Sequence, residues 1–177
     1  MNKPHILITG DRGIGKTTLV NRLLQDCRLP LYGYRTKNVY CENGGSCGVY
    51  MYSIRDEEFV NTEENCVASA VNDPNHPGMI PHVSMFDTLG VQYLREAKPD
   101  GLIVMDELGF LETNAMEFRR AVLERLDGDI PVLAVVRMNK HTDFLNAVRS
   151  HPKAELYTVT KENRDELYEV LKDRFRG

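Results

Sequence analysis

The chain has 177 residues, 42% of them hydrophobic and 27% charged, and a formal net charge of −4. That length suits one domain with a substantial core, and the weakly acidic balance gives no general attraction to nucleic acid or to an anionic membrane surface. With neither a signal peptide nor a long apolar span to read, the expectation is a single domain over residues 1–177, cytoplasmic, with no membrane or nucleic-acid partner.

Taken in order, the first elements are a strand, a glycine loop and a helix. His5-Ile6-Leu7-Ile8 is an apolar run of buried-strand type, and Leu19, Val20, Leu23, Leu24 and Cys27 recur at helical spacing. Between them stands Gly10-Asp11-Arg12-Gly13-Ile14-Gly15-Lys16-Thr17-Thr18, which fits the P-loop pattern of Gly, four residues, then Gly-Lys-[Ser/Thr]. Each residue type answers a chemical need. Glycines let backbone N–H groups curl around phosphate oxygens, and the new helix points its positive end at them. Lys16 reaches the β- and γ-phosphates, and the Thr17 hydroxyl is a ligand for Mg²⁺.

Residues 32–40 alternate and end in the turn chemistry of Glu42-Asn43-Gly44-Gly45-Ser46, and residues 48–54 resume an alternating aromatic run. The pair reads as an antiparallel hairpin whose tyrosines pack. Cys27, Cys41, Cys47 and Cys66 contain no C-x-x-C pair, so free thiols are expected. The competing reading is a zinc site in which Cys41, Cys47, His76 and His82 converge. Residues 59–81 show little periodicity and hold Asp73-Pro74-Asn75-His76-Pro77-Gly78, which predicts a mobile loop near the nucleotide, with His76 and His82 facing solvent.

A helical stripe follows over residues 87–97, opening on Asp87-Thr88-Leu89-Gly90, a look-alike of the GTPase D-x-x-G motif that lacks the preceding buried strand. That strand comes next, at residues 101–105, and runs straight into Asp106-Glu107. Ligand sites in parallel sheets lie beyond the carboxyl ends of the strands, which places Asp106 to hold Mg²⁺ and Glu107 to deprotonate a water aimed at the γ-phosphate. Asn114 and Glu117 are the expected capping pair of the next helix. Residues 130–136 form another buried strand ending at Arg137, with Lys140 and His141 close behind as alternative sources of positive charge for the transition state. A short helix around residues 144–148, a strand at 154–159 and a closing helix at 167–175 complete the alternation. The expected architecture is a three-layer α/β/α fold of P-loop NTPase type, with a mainly parallel sheet and an inserted antiparallel hairpin.

Thr160-Lys161-Glu162-Asn163-Arg164, together with Gly13-Ile14-Gly15-Lys16-Thr17-Thr18-Leu19 and the D-E-L-G-x-x-E run from Asp106 to Glu112, resembles the cancer-related nucleoside-triphosphatase family, also described as thermophile P-loop nucleotidases. The resemblance spans nearly the whole chain. It implies Mg²⁺-dependent hydrolysis of ATP, GTP and other nucleoside triphosphates to diphosphate and phosphate. Carried over by position, Gly15, Lys16 and Thr17 bind phosphates and metal, Asp106 the metal, and Glu107 is the base. The chain departs from the family where Asp11 and Arg12 replace proline and where Phe110 replaces a common lysine. Two other classes stay open. A P-loop kinase needs an acceptor pocket and usually an arginine-bearing lid, and residues 59–81 contain no arginine. A nucleotide-regulated binding module for cofactor assembly is the other. A guanine switch carries N-K-x-D, and the nearest match, Thr160 to Asn163, lacks the aspartate. Asn163 is therefore a candidate nucleotide contact without strict base selectivity.

Overall fold

The computed structural model describes residues 4–42, 44–71 and 78–175. Eight strands form one sheet: β1 (His5–Thr9), β2 (Leu31–Tyr40), β3 (Ser46–Ser53), β4 (Cys66–Ala70), β5 (Met79–Pro81), β6 (Leu102–Leu108), β7 (Val132–Val136) and β8 (Ala154–Thr158). Their spatial order is β5-β4-β3-β2-β6-β7-β1-β8. The five strands from β2 to β8 pair in parallel, and β3, β4 and β5 extend the sheet antiparallel from β2.

The parallel strands are apolar on both faces because both faces are covered. Ile6, Ile8, Leu102, Val104, Leu133 and Val135 pack on α1 (Lys16–Asp26) and α6 (Arg164–Leu171), joined by Leu19, Leu23 and Leu171. Alternate residues, Leu7, Ile103, Met105 and Ala134, face the opposite layer. That layer is built from α2 (Val83–Met85), a π-helical turn (Phe86–Gly90), α3 (Val91–Arg95), α4 (Met116–Asp127) and α5 (Asp143–Arg149). Two-residue alternation inside apolar runs thus divides the core in two, giving the expected α/β/α layering with its antiparallel part.

Several expectations are corrected. Residues 59–81 are no unstructured lid, since they contain a 3₁₀ turn (Glu63–Asn65) and the strands β4 and β5. These strands are short, and β4 is built on the small residues Cys-Val-Ala-Ser-Ala, so they carry no periodic signature; β4 forms because β3 offers it an edge, and β5 forms on β4 in turn. Asp73 to Pro77, with His76, lie outside the described residues. His82 faces inward, its Nδ1 2.9 Å from the Cys66 carbonyl oxygen and its Nε2 2.9 Å from the Ser69 hydroxyl. Cys41 and Cys47 form a disulfide, where free thiols were expected. The hairpin turn brings their Cα atoms to 5.3 Å, inside the range a disulfide spans. Among the described residues no cluster of three or more His, Cys, Asp or Glu side chains is arranged to hold a metal, and the disulfide removes Cys41 and Cys47 as thiolate ligands of the zinc set.

The helix expected from residue 87 starts at Val83, and the D-x-x-G look-alike falls inside its π turn, in the helical layer. Asp87 has another task there. Its Oδ1 accepts the Phe118 N–H at 2.9 Å, so α4 is capped from a neighbouring helix and not by Asn114 and Glu117. No helix among the described residues is long and apolar enough to cross a membrane.

Candidate active site

The carboxyl ends of β1, β6 and β7 open into one cavity of about 930 Å³, within the range of small-molecule sites. Gly10, Arg12, Gly13, Gly15, Lys16, Thr17 and Thr18 line one side; Asp106, Glu107, Glu112, Arg137 and Lys140 line the other. The sheet order explains this meeting. β1 carries the glycine loop, and β7 separates it from β6, which carries the acidic pair.

The glycine loop turns because Gly10, Gly13 and Gly15 all have positive φ, at 146°, 77° and 104°. A side chain is excluded at two of them by contact as well. A Cβ on Gly10 would lie 2.7 Å from the Val159 carbonyl oxygen, and one on Gly15 would lie 2.8 Å from Nη1 of Arg164. Lys16 folds back over the loop, donating to the carbonyls of Gly10 at 2.8 Å and Asp11 at 2.7 Å. Burial lowers its ammonium pKa, opposed chiefly by the Glu107 carboxylate. Arg12 donates to the Tyr40 hydroxyl at 3.0 Å, so this tyrosine ties the loop to the hairpin instead of packing in the core.

Asp106 is buried, and burial raises its carboxyl to about 6, against the opposing pull of Arg35. Arg35 Nε lies 3.7 Å from Asp106 Oδ2, while its Nη2 donates to Asn21 Oδ1 on α1 at 3.0 Å. The Thr36 hydroxyl donates to the Asp106 carbonyl at 3.1 Å and accepts the Glu107 N–H at 3.3 Å. Glu107 Oε1 receives Nε of Arg137 at 2.6 Å, in a pair that remains 30% and 46% exposed. Glu112 is 3% exposed and accepts the Gly109 N–H, closing the turn behind the pair; burial raises its carboxyl to about 7.

Every residue expected at phosphate and metal positions therefore reaches one cavity except Asp11, Ile14 and Asn163, which do not line it. Ile14 packs on the core side, and Asp11 contributes its carbonyl to Lys16. Asn163 turns its amide inward: Oδ1 accepts the Thr160 N–H at 2.8 Å and Nδ2 donates to the Thr158 carbonyl at 2.9 Å. His141 does not line the cavity, whereas Lys140 does. No described part of residues 59–81 lines it, because β4 and β5 lie at the far edge of the sheet. Phe110, at the family's lysine position, has Arg137 and Lys140 at 5.3 Å and 5.0 Å from its ring centre. An aromatic face there attracts two cations that a third would repel. Arg35 and Thr36 were missed in the sequence, since only the β2–β6 pairing brings them to Asp106, and Asn21 of α1 joins the site through Arg35.

A family model described as NTPase matches residues 5–171 of the chain. The chain belongs to this NTPase family. It is 33% identical to the nucleoside-triphosphatase THEP1 of Thermococcus kodakarensis, covering 96% of this chain and 92% of that one. With the protein of the same name from Methanosarcina acetivorans it shares 34% identity over 96% and 95% of the two chains. The crystal structure of THEP1 from Aquifex aeolicus superposes with a TM-score of 0.77 at 26% identity, covering 98% of this chain and 99% of that one. The solution structure of a human cancer-related nucleoside triphosphatase reaches 0.70 at 23% identity over 94% of each chain, a likeness of fold. The chain is thus a nucleoside triphosphatase by family, and nucleotide binding and hydrolase chemistry go with that membership.

Proposed function

We propose that the protein hydrolyses nucleoside triphosphates, ATP and GTP among them, to the diphosphate and phosphate with Mg²⁺. The supporting observation is the opposition, across one cavity, of Lys16 and Thr17 on the glycine loop to Asp106 and Glu107 at the end of β6. On this reading the loop N–H groups of residues 10–18 cradle the β- and γ-phosphates, and Lys16 leaves its two loop carbonyls to neutralise their charge. Glu107 orients a water and takes its proton as the water oxygen bonds to the γ-phosphorus and the bridging P–O bond to the diphosphate breaks. Arg137, 2.6 Å from Glu107, supplies positive charge beside the transferring group.

The residues suit Mg²⁺. One buried carboxylate, Asp106, and the Thr17 hydroxyl, with no metal-holding cluster of three or more His, Cys, Asp or Glu among the described residues, match an ion that keeps waters and takes substrate phosphate oxygens as its remaining ligands. Bound there, it would neutralise charge on the β- and γ-oxygens. Asn163 contributes by holding the loop after β8 in shape, and the carboxylates described there, Glu162 and Asp165, are exposed and not built into a guanine-selecting pocket. The cavity also runs along β2 past Lys37, Asn38 and Tyr40, which favours phosphotransfer to a small acceptor as the second reading.

Phosphate release from ATP, GTP, CTP and UTP, with and without EDTA and a panel of hydroxyl acceptors, is the test. Hydrolysis that EDTA stops, with ATP and GTP within about one order of magnitude of each other, is expected because the wrong base leaves no buried partner unpaired. Turnover seen only with an acceptor, or thousandfold base discrimination, contradicts this.

A further inference from the structure

The polarity of the site defines where the base must lie. Asp106 and Glu107 stand at the end of β6 and Arg137 directly after β7, on one side of β1, and on the proposed reading they mark the γ-phosphate end. A triphosphate laid along the glycine loop therefore carries its nucleoside out on the other side of β1, toward β8. The segment that follows β8 is held rigidly. Val159 N–H donates to the Thr9 carbonyl at 2.8 Å, and Asn163 closes the turn through Thr160 and Thr158. Asn163 thereby has its amide engaged within the loop, so base-edge reading by this side chain is not what the loop is built for.

Arg164, the first residue of α6, is presented at that point. Its side chain lies against Gly15, where a Cβ would meet Nη1 at 2.8 Å, Cδ at 2.9 Å and Cζ at 3.6 Å. Gly15 thus lacks a side chain for two reasons, its φ of 104° and the Arg164 side chain packed against it. The guanidinium is not consumed by neighbours. Nε is buried without a hydrogen-bond partner, and the carboxylate nearest to it, Asp165 at 3.9 Å, is bound at 2.7 Å by Arg22 of α1. The side chain as a whole remains 37% exposed. A cation thus lies against the glycine loop at Gly15 and keeps part of its side chain exposed, on the β8 side of the loop.

We propose that Arg164 is the nucleobase platform, stacking its guanidinium on the π face of the base, so that the site takes purine and pyrimidine nucleotides alike. The inference rests on the nucleotide-binding reading of the cavity and supplies what that reading lacks, a contact to the base. Every base presents a π face, so a stacking cation holds all of them while selecting none. An edge-reading amide or carboxylate would discriminate.

The test compares Arg164→Ala, Arg164→Met and Arg164→Trp with wild type, using ATP, GTP and UTP and, as a probe with no base, inorganic tripolyphosphate. Dissociation constants from calorimetry on the full chain are read beside KM and kcat. Arg164→Ala and Arg164→Met are expected to weaken all three nucleotides about tenfold, the order seen for loss of one stacking partner, with kcat nearly unchanged. Tripolyphosphate binding should stay as in wild type, and Arg164→Trp should recover most of the nucleotide affinity, since an indole offers a plane without charge. Equal weakening of tripolyphosphate overturns the proposal, because it would mean that Arg164 holds phosphate or merely supports the loop. Unchanged nucleotide affinity in Arg164→Ala overturns it as well. A wild-type chain that binds nucleotide without hydrolysing it would refute the hydrolase reading alone, and the binding comparison would still decide the platform.

Discussion

Replacing Glu107 by Gln separates binding from chemistry at this site. The substitution conserves size and leaves Lys16, Thr17 and Asp106 in place, while the pair between Glu107 Oε1 and Arg137 Nε at 2.6 Å loses its charge. Because both side chains are well exposed, that pair contributes no more than about 1 kcal/mol to the fold, and the variant should melt close to wild type. Catalysis should respond far more. Loss of a general base lowers turnover by roughly two to four orders of magnitude, equivalent to about 2.7–5.4 kcal/mol in the barrier. Triphosphate affinity should hold within a few-fold, since the proposed phosphate contacts come from the glycine loop and Lys16 and not from Glu107. The assay is phosphate release under saturating nucleotide together with equilibrium binding on the same preparation, with a melting curve as the control for folding. Turnover near that of wild type in a folded, nucleotide-binding variant would refute the assignment of Glu107 as base, and would favour either an acceptor hydroxyl activated elsewhere or a switch that awaits a partner.

Lys16→Ala should weaken triphosphate binding and remove most turnover without unfolding the chain, because among the described residues its ammonium bonds to the Gly10 and Asp11 carbonyls of its own loop; unchanged affinity would remove the P-loop assignment. Glu112→Gln is a test of stability against pH. The native carboxyl is raised to about 7 from an ordinary 4.5, so between those values the unfolded chain has lost a proton the native state still holds, and unfolding free energy falls as pH rises. The slope is at most about 1.4 kcal/mol per pH unit. The Gln variant, which still accepts the Gly109 N–H, should lose that slope and gain on the order of 1–3 kcal/mol over wild type at pH 8. Urea unfolding at pH 5 and pH 8 reads this, and parallel pH slopes in the two proteins would contradict it.

The sequence by itself determined the local chemistry. Glycines at 10, 13 and 15 dictate a loop with positive φ, and a lysine and a threonine at the start of the next helix set a cation and a hydroxyl at its N-terminus. An apolar run ending in Asp106 and Glu107 dictates a central strand with its acids at one edge. Each of these is a property of a few consecutive residues, so periodicity and turn chemistry expose it. What the tertiary structure decided were the pairings between segments far apart. Only the strand order brought Arg35 and Thr36 of β2 beside Asp106, Asp87 under the start of α4, and Arg164 onto Gly15, which it follows by 149 positions. Burial likewise made Glu112 a nearly sealed carboxyl instead of one more surface acid. The strands β4 and β5 escaped sequence reading for the same reason. Their spans of five and three residues are too short to show a period, and a neighbouring edge supplied the hydrogen bonds that made them strands. Local patterns record what a segment does with its own backbone, while long-range contacts are written in no single segment and appear only when the whole sheet has closed around them.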